Sequence, residues 1–186
     1  MGKRPMLSSV CAVVLLLALA SSSLVAAAPR AAAKSAPSGR GVSTQRTGWT
    51  LTLQGKLTKV LPISKVPAKV TWDGTKAGNI NPTLRAKYRG QTLYTLIGLV
   101  DDKDPSGFNV ALAKKGYQIR FSCLDGYKVT INSATIVGKK KWIVAKLKNG
   151  KHLPKGERPF RYVGSFIKPF NGKLSARMLT TIKLIF

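Results

Sequence analysis

Acidic residues, cysteine and histidine are all scarce in this chain of 186 residues. It contains six Asp and Glu residues, two cysteines and a single histidine, His152. A zinc site takes three or four ligands from Cys, His and carboxylate side chains. No second His or Cys lies near His152 in the sequence. The pattern therefore excludes a zinc motif there and predicts a surface residue.

The few carboxylates are unevenly distributed. Asp101, Asp102 and Asp104 account for three of the six, and they lack the spacing of an EF-hand calcium loop. We therefore predict a loop that ends a helix rather than a cation site. Asp125 directly precedes Gly126, and Asp-Gly is a turn sequence, so Asp125 is interpreted as a turn former and not as a catalytic acid.

Basic residues dominate the charge of the chain. The 32 Lys and Arg residues give a formal net charge of +26. Such an excess favours polyanionic partners, such as nucleic acid, anionic lipid or an acidic polymer of the cell envelope. The sequence contains no recognisable RNA-recognition or other nucleic-acid-binding module. The alternative is that the basic residues form solvated faces with no specific partner.

Residues 1–33 have the features of a secretory signal peptide. Lys3 and Arg4 form a positive N-terminal region, and residues 10–20 form an unbroken apolar stretch. The candidate cleavage positions are Ala26, Ala27 and Ala33. These features predict a secreted, periplasmic or cell-envelope protein with no transmembrane segment after cleavage. The alternative is an uncleaved anchor over residues 10–28, against which the serines at 21–23 argue.

Residues 34–48 are rich in Ser, Gly, Pro and Lys, which predicts a flexible linker before a folded domain at 49–186. Signal cleavage removes Cys11 and leaves Cys123, so an internal disulfide is excluded. Cys123 shares one strand face with Phe121, which predicts a buried core residue. The alternatives are a reactive thiol or an intermolecular disulfide.

A β-hairpin is predicted at the centre of this domain. Residues 117–122 and 127–131 alternate apolar with polar side chains, and Asp125-Gly126 lies between them. A helix is predicted behind Thr92, a suitable N-cap. Its apolar residues recur at helical spacing: Leu93, Leu96, Ile97 and Val100.

The remaining elements are mainly strands. They are predicted at residues 49–54, 69–72, 142–147, 160–163 and 178–186, with an extended segment at 60–66 and one helical turn at 132–137. Trp142 opens a strand and is predicted to be a core residue rather than a stacking platform. Long loops at 75–87 and 166–175 are of a length that is often functional. The predicted fold class is α+β, a mixed, mostly antiparallel β-sheet domain with one main helix.

Four sequence blocks resemble one known family. They are LTLQGK (51–56), YRGQTLYTLIGLV (88–100), CLDGYKVTI (123–131), and KNGKHLP (148–154) followed by PFRYV (159–163). Together they are similar to the oxidoreductase molybdopterin-binding domain, the cofactor-binding fold of the sulfite oxidase family. The resemblance covers roughly residues 49–186 and implies that fold, with molybdopterin as the associated cofactor.

The resemblance also implies where a cofactor would lie. In active members, a cysteine thiolate after an early strand binds molybdenum, and the corresponding stretch here is VTWDGTKAGN (70–79). This stretch has no cysteine, and Asp73 offers only a hard carboxylate. The basic residues in the region of the family's pterin-phosphate pocket are Lys76, Arg85, Lys87 and Arg89. The resemblance thus implies a short member that lacks the metal-binding cysteine.

A second basic group surrounds the predicted hairpin at Asn149-Gly150. Its members are Lys139, Lys140, Lys141, Lys146, Lys148 and Lys151. Lysine suits diffuse electrostatic attraction better than bidentate recognition, so we predict a polyanion-binding face here.

Three functions remain open. The first is a secreted, non-catalytic domain that binds a small ligand or an anionic envelope partner. The second is a molybdopterin-dependent oxidoreductase subunit. The third is a basic envelope protein that binds polyanions and has no small-molecule site. Polyanion binding weakens steeply with salt, which distinguishes the third from the others.

Overall fold

The computed structural model describes residues 48–78, 81–167 and 172–186. The predicted signal peptide at 1–33 lies outside the described residues, and so does nearly all of the predicted linker. Within the described ranges the chain forms strands β1 Thr50–Gln54, β2 Thr58–Pro62, β3 Val70–Asp73, β4 Lys87–Thr92, β5 Gln118–Cys123, β6 Lys128–Asn132, β7 Ile143–Lys148, β8 Lys151–His152, β9 Arg161–Val163 and β10 Leu179–Ile185. The helices are α1 Leu93–Ile97 and α2 Val110–Lys115.

Five of these strands form the first sheet, in the order β2-β1-β10-β5-β6. β1 pairs with β10 in parallel, and the other neighbours are antiparallel. Leu53 and Ile182 are partners in register, and both are buried, as are Ile119 and Phe121 of β5. Because side chains alternate along a strand, one face of this sheet lies on the core and the other faces solvent.

The second sheet has the order β3-β4-β7-β8, and β9 also pairs with β7. β7 separates two apolar clusters: Val144 belongs to the first, and Ile143 and Ala145 belong to the second. Gly90 of β4 is required by this packing. A Cβ there would lie 2.0 Å from the Val144 carbonyl oxygen.

The predicted hairpin is confirmed by the pairing of β5 with β6, whose register joins Phe121 to Val129. Its turn follows the expected chemistry: Asp125 Oδ1 accepts a hydrogen bond from Tyr127 N–H at 3.1 Å, and Gly126 has φ +79°. The predicted N-cap is also confirmed, because Thr92 Oγ1 accepts from Thr95 N–H at 3.0 Å.

Three elements differ from the sequence prediction. The segment predicted as extended at 60–66 is a strand only to Pro62, where β2 ends, and Ile63–Lys65 form a 3-10 turn. Residues 87–92 form β4, where the sequence pattern predicts no strand. The prediction of one main helix is incomplete, because α2 is a second helix, capped by Asn109, whose Oδ1 accepts from Leu112 N–H at 2.8 Å. Both helices are short, five and six residues, so each depends on packing against the rest of the domain for its stability.

The fold class is α+β, with mixed sheets and few helices, as the sequence predicts. The predicted helical turn at 132–137 is confirmed as a 3-10 turn at Ser133–Ile136. Among the described residues, no helix is long and apolar enough to cross a bilayer.

Candidate ligand-binding site

A pocket of about 500 Å³ lies beside the edge strand β3. It is built from parts of the chain that are distant in sequence. Lys76 and Ala77 come from the first predicted long loop and Ile167 from the second. The complete described lining is Thr71, Trp72, Asp73, Lys76, Ala77, Lys141, Ser165 and Ile167.

Trp72 is the large apolar group of this pocket. It is paired with Tyr88 across β3 and β4, and the two ring centroids are 5.9 Å apart. Gly74 follows the strand and allows the chain to turn closely over the indole. A Cβ at Gly74 would lie 2.2 Å from the Leu84 carbonyl oxygen and 3.0 Å from the Trp72 ring. The indole is thus fixed from two sides, and because it is only 5% exposed it forms part of the pocket floor and offers little area to a ligand.

Asp73 supplies the carboxylate of the pocket. Its Oδ1 accepts hydrogen bonds from the Thr75 hydroxyl at 2.6 Å and from the Thr75 N–H at 3.0 Å. The hydroxyl hydrogen bond, together with that N–H and the charges of Lys87 and Lys76, lowers the pKa of the Asp73 carboxyl. Asp73 is therefore ionised at neutral pH, with Oδ2 available to accept from a ligand.

Two ammonium groups and a hydroxyl complete the polar lining. Lys76 and Lys141 are both exposed, so their charged ends remain hydrated. Ser165 Oγ accepts a hydrogen bond from Trp142 Nε1 at 3.0 Å, which leaves the hydroxyl proton free to donate. Two positive charges and one negative charge give the lining a net charge of +1 (two Lys, one Asp), and this favours a small anion.

The four residues predicted for cofactor binding do not converge. Lys76 lines the pocket, whereas the other three are not part of its described lining. Lys87 lies opposite Asp73 in the β3–β4 ladder. Arg89 donates to the Ala68 carbonyl oxygen at 3.2 Å, and Arg85 is exposed just after a 3-10 turn.

The six lysines predicted as one polyanion-binding face have different surroundings, although Lys148 and Lys151 are direct partners in the β7–β8 ladder. Lys139, Lys140 and Lys151 are exposed, and Lys141 lines the pocket. The remaining two are partly buried and engaged in contacts within the protein. Lys146 Nζ donates to the Ile63 carbonyl oxygen at 3.0 Å, and burial lowers its pKa. Lys148 Nζ pairs with Glu157 at 2.7 Å.

A register shift between β4 and β7 explains why Lys146 and Lys148 are partly buried. Tyr88 pairs with Lys148 and Gly90 with Ala145, so the register shifts between Arg89 and Gly90. This irregularity leaves Lys146 without a partner in the ladder and turns Lys148 onto the Tyr88 face. A sequence pattern does not reveal such a shift.

The remaining sequence interpretations concern single residues. Cys123 is buried in the first cluster, and burial raises its pKa to about 11. Trp142 is a core residue as predicted, packed edge-on against Phe166 with centroids 5.0 Å apart. His152 is exposed on β8, in agreement with its assignment to the surface. Asp101 is fully buried, which the sequence did not indicate.

The sequence analysis did not assign Ser165 to a site, and it did not place Lys141 in this pocket. The resemblance pointed to the stretch 70–79, which contains Thr71, Trp72 and Asp73. Ile167 lies in the predicted loop at 166–175, whereas nothing local identifies Ser165, which follows β9 and is positioned by the pairing of β9 with β7.

The lining does not fit a molybdenum ion held by a protein thiolate. Molybdenum is bound in the resembled family through cysteine, and the described lining offers a hard carboxylate, hydroxyls and ammonium groups instead. Within the described ranges the free cysteine is Cys123, a core residue of the other cluster. No group of three His, Cys, Asp or Glu side chains in those ranges is arranged to hold a metal ion.

Comparison with protein-family models and with curated protein sequences finds no match. Among solved structures, the chain is similar to the sulfane dehydrogenase SoxCD from Paracoccus pantotrophus, with a TM-score of 0.53 and 11% sequence identity. The match covers 77% of this chain and 40% of the SoxCD chain. The described fold is therefore shared with part of a redox enzyme, and the likeness concerns the fold alone.

Proposed function

We propose that this protein is an exported binding domain of the molybdopterin-binding fold that holds a small organic anion in the pocket beside β3. The observation that carries the proposal is the convergence of Lys76 and Lys141 on one cavity against the buried Trp72. Charged groups in a concave site fix the orientation of a ligand, and an apolar wall supplies contact area.

The composition of the lining defines the ligand further. An anionic group would pair with the two ammonium ions, and an apolar part would lie on the pocket floor formed by Trp72 and Ile167. The free Oδ2 of Asp73 accepts a hydrogen bond, so a donor group on the ligand would be recognised as well. A small organic carboxylate, sulfonate or phosphate combines these features.

The proposal excludes a molybdenum centre of the sulfite oxidase kind, because the described lining contributes no thiolate. A molybdopterin-dependent oxidoreductase is the alternative. The fold likeness to SoxCD supports kinship with that class, but it carries no residue of an active site to this chain.

The first experiment measures molybdenum by mass spectrometry and pterin by fluorescence in protein exported from a host that makes the cofactor. N-terminal sequencing of the same material tests the predicted cleavage within residues 1–33. We expect neither molybdenum nor pterin in stoichiometric amount. About one molybdenum per chain would overturn the proposal and establish the oxidoreductase alternative.

The second experiment measures binding of 1-naphthalenesulfonate and adenosine 5′-monophosphate by isothermal calorimetry. We expect Lys76→Ala and Lys141→Ala to weaken binding roughly tenfold each, since each removes a charge-assisted contact. The matched control is Lys151→Ala, an exposed lysine on β8 outside the lining. Equal losses in all three variants would show that net charge, and not the pocket, holds the anion.

A further inference from the structure

The solvent-facing side of the first sheet carries a group of basic residues that the sequence pattern did not single out. Arg120 of β5 lies directly opposite Lys183 of β10. Their sequence neighbours Ile119, Phe121, Ile182 and Leu184 are buried in the core. Because side chains alternate along a strand, Arg120 and Lys183 both point away from the core, and both are exposed.

A third cation lies next to this pair. Lys128 of β6 pairs with Ser122, which is two residues along β5 from Arg120 and on the same face. Cβ atoms directly opposite each other in antiparallel strands are about 5 Å apart, and diagonal neighbours are about 7–8 Å apart. Arg120, Lys128 and Lys183 therefore form one compact group, here called the basic sheet face.

No acidic residue compensates the basic sheet face. All six carboxylates of the chain lie among the described residues, and none belongs to the five strands of this sheet. Asp73 lines the pocket, and Asp125 lies in the hairpin turn. Glu157 pairs with Lys148, and the other three lie in the loop at 101–104: Asp101, Asp102 and Asp104. Like charges directly across a strand pair are destabilising, so an anion bound between Arg120 and Lys183 would relieve their repulsion.

From this charge complementarity we infer that the basic sheet face binds an acidic polysaccharide, independently of the pocket. Around the three cations the same face presents hydroxyl and amide groups, which match the hydroxyls of a sugar chain: Thr52, Gln54, Gln118, Ser122, Thr130 and Thr181. These partners carry no aromatic ring on which a nucleic-acid base would stack, and this favours a polysaccharide over single-stranded nucleic acid.

The test uses the exported chain and heparin as the acidic polysaccharide. The variant Arg120→Gln/Lys128→Gln/Lys183→Gln removes the three charges and keeps polar side chains. Its matched control is Lys69→Gln/Lys114→Gln/Lys155→Gln, which removes three exposed lysines outside the sheet. We expect the first variant to bind heparin at least roughly tenfold more weakly at low salt. The slope of the logarithm of the binding constant against the logarithm of the salt concentration should fall in magnitude by about 2 to 3. The control should stay within about twofold of the parent.

Equal weakening in both variants, or no heparin binding by the parent protein, would overturn the inference. So would tighter binding of single-stranded DNA than of heparin at matched charge. Circular dichroism establishes that each variant is folded. A second readout in the unmodified protein does not depend on variants: heparin should protect Lys128 and Lys183 from acetylation more than Lys114. Equal protection of the three lysines would also contradict the inference.

Discussion

Lys148 Nζ lies 2.7 Å from Glu157 Oε1, and Arg161 Nη1 lies 2.9 Å from the same oxygen. Glu157 and Arg161 are nearly buried, and Lys148 is about one-fifth exposed. Lys148 also donates to the Thr83 carbonyl oxygen at 3.0 Å. One carboxylate therefore joins the end of β7 to the start of β9, and Lys148 links both to the 3-10 turn before β4.

This arrangement makes Glu157 the anion on which two partly buried cations depend. Glu157→Gln should lower the free energy of unfolding by about 3 kcal/mol, because it leaves both cations without a counter-ion. Urea unfolding followed by circular dichroism measures the change. The control is Asp125→Asn at the exposed pair with Arg177, 3.7 Å apart, where we expect less than about 1 kcal/mol. An equal loss of unfolding free energy in Glu157→Gln and Asp125→Asn would contradict this role of Glu157.

Asp101 should make stability depend on pH. Its carboxyl is buried and Oδ1 has no hydrogen-bond partner, and burial raises its pKa above the ordinary 3.8. A carboxyl whose pKa is higher in the folded state than in the unfolded state stabilises the fold at pH values below its unfolded-state pKa. This stabilisation is lost as the pH rises through the folded-state pKa. Asp101→Asn should therefore match the parent near about pH 3 and be more stable than it near about pH 7.

Asp104, in the same loop, should make stability depend on pH in the opposite direction. The hydrogen bonds that the Asp104 carboxyl accepts from Ser106 lower its pKa. The carboxylate therefore stabilises the fold above its ordinary pKa of 3.8, and this stabilisation is lost as the pH falls through the folded-state pKa. Asp104→Asn should therefore be less stable than the parent near neutral pH and equal to it in acid. Urea titrations at several pH values measure both variants. A pH-independent difference for either one would contradict the assignment.

Gly90 should not tolerate a side chain. A Cβ would lie 2.0 Å from the Val144 carbonyl oxygen and 2.5 Å from Ala145 Cα, both backbone atoms of β7 that cannot move independently. Gly90→Ala should cost about 3 kcal/mol or more of unfolding free energy. The control Gly156→Ala meets no atom within 4 Å and should change stability by less than about 0.5 kcal/mol. Similar values for the two would show that β4 does not approach β7 so closely.

Cys123 should react slowly in the folded protein. With a pKa of about 11, roughly one thiol in ten thousand is ionised at neutral pH, and burial restricts access further. In a Cys11→Ser background, reaction with Ellman's reagent should be at least roughly a hundredfold faster in urea than in buffer. Rapid labelling of the folded chain would instead support the reactive-thiol alternative.

The elements that were predicted correctly depend on neighbours in sequence. The turn at Asp125 and Gly126 and the cap at Thr92 each need only a few consecutive residues. The helix α2 was missed although Asn109 caps it, because Ala113 is its one buried residue, whereas α1 buries Leu93, Leu96 and Ile97 on one face. β4 was missed because it mixes Lys, Arg, Gly and Gln with a buried Tyr88, and its stability comes from pairing with β3 and β7.

By itself, the sequence determined the α+β class, the central hairpin, the helix start and the large positive charge, since these follow from local conformational preference and composition. Only the tertiary structure decided which basic residues meet. It brought Lys76 and Lys141 to one pocket, turned Lys146 and Lys148 into contacts within the protein, and set Arg120 opposite Lys183. The reason is that strand partners and register shifts join residues far apart in the chain, and no local pattern encodes that pairing.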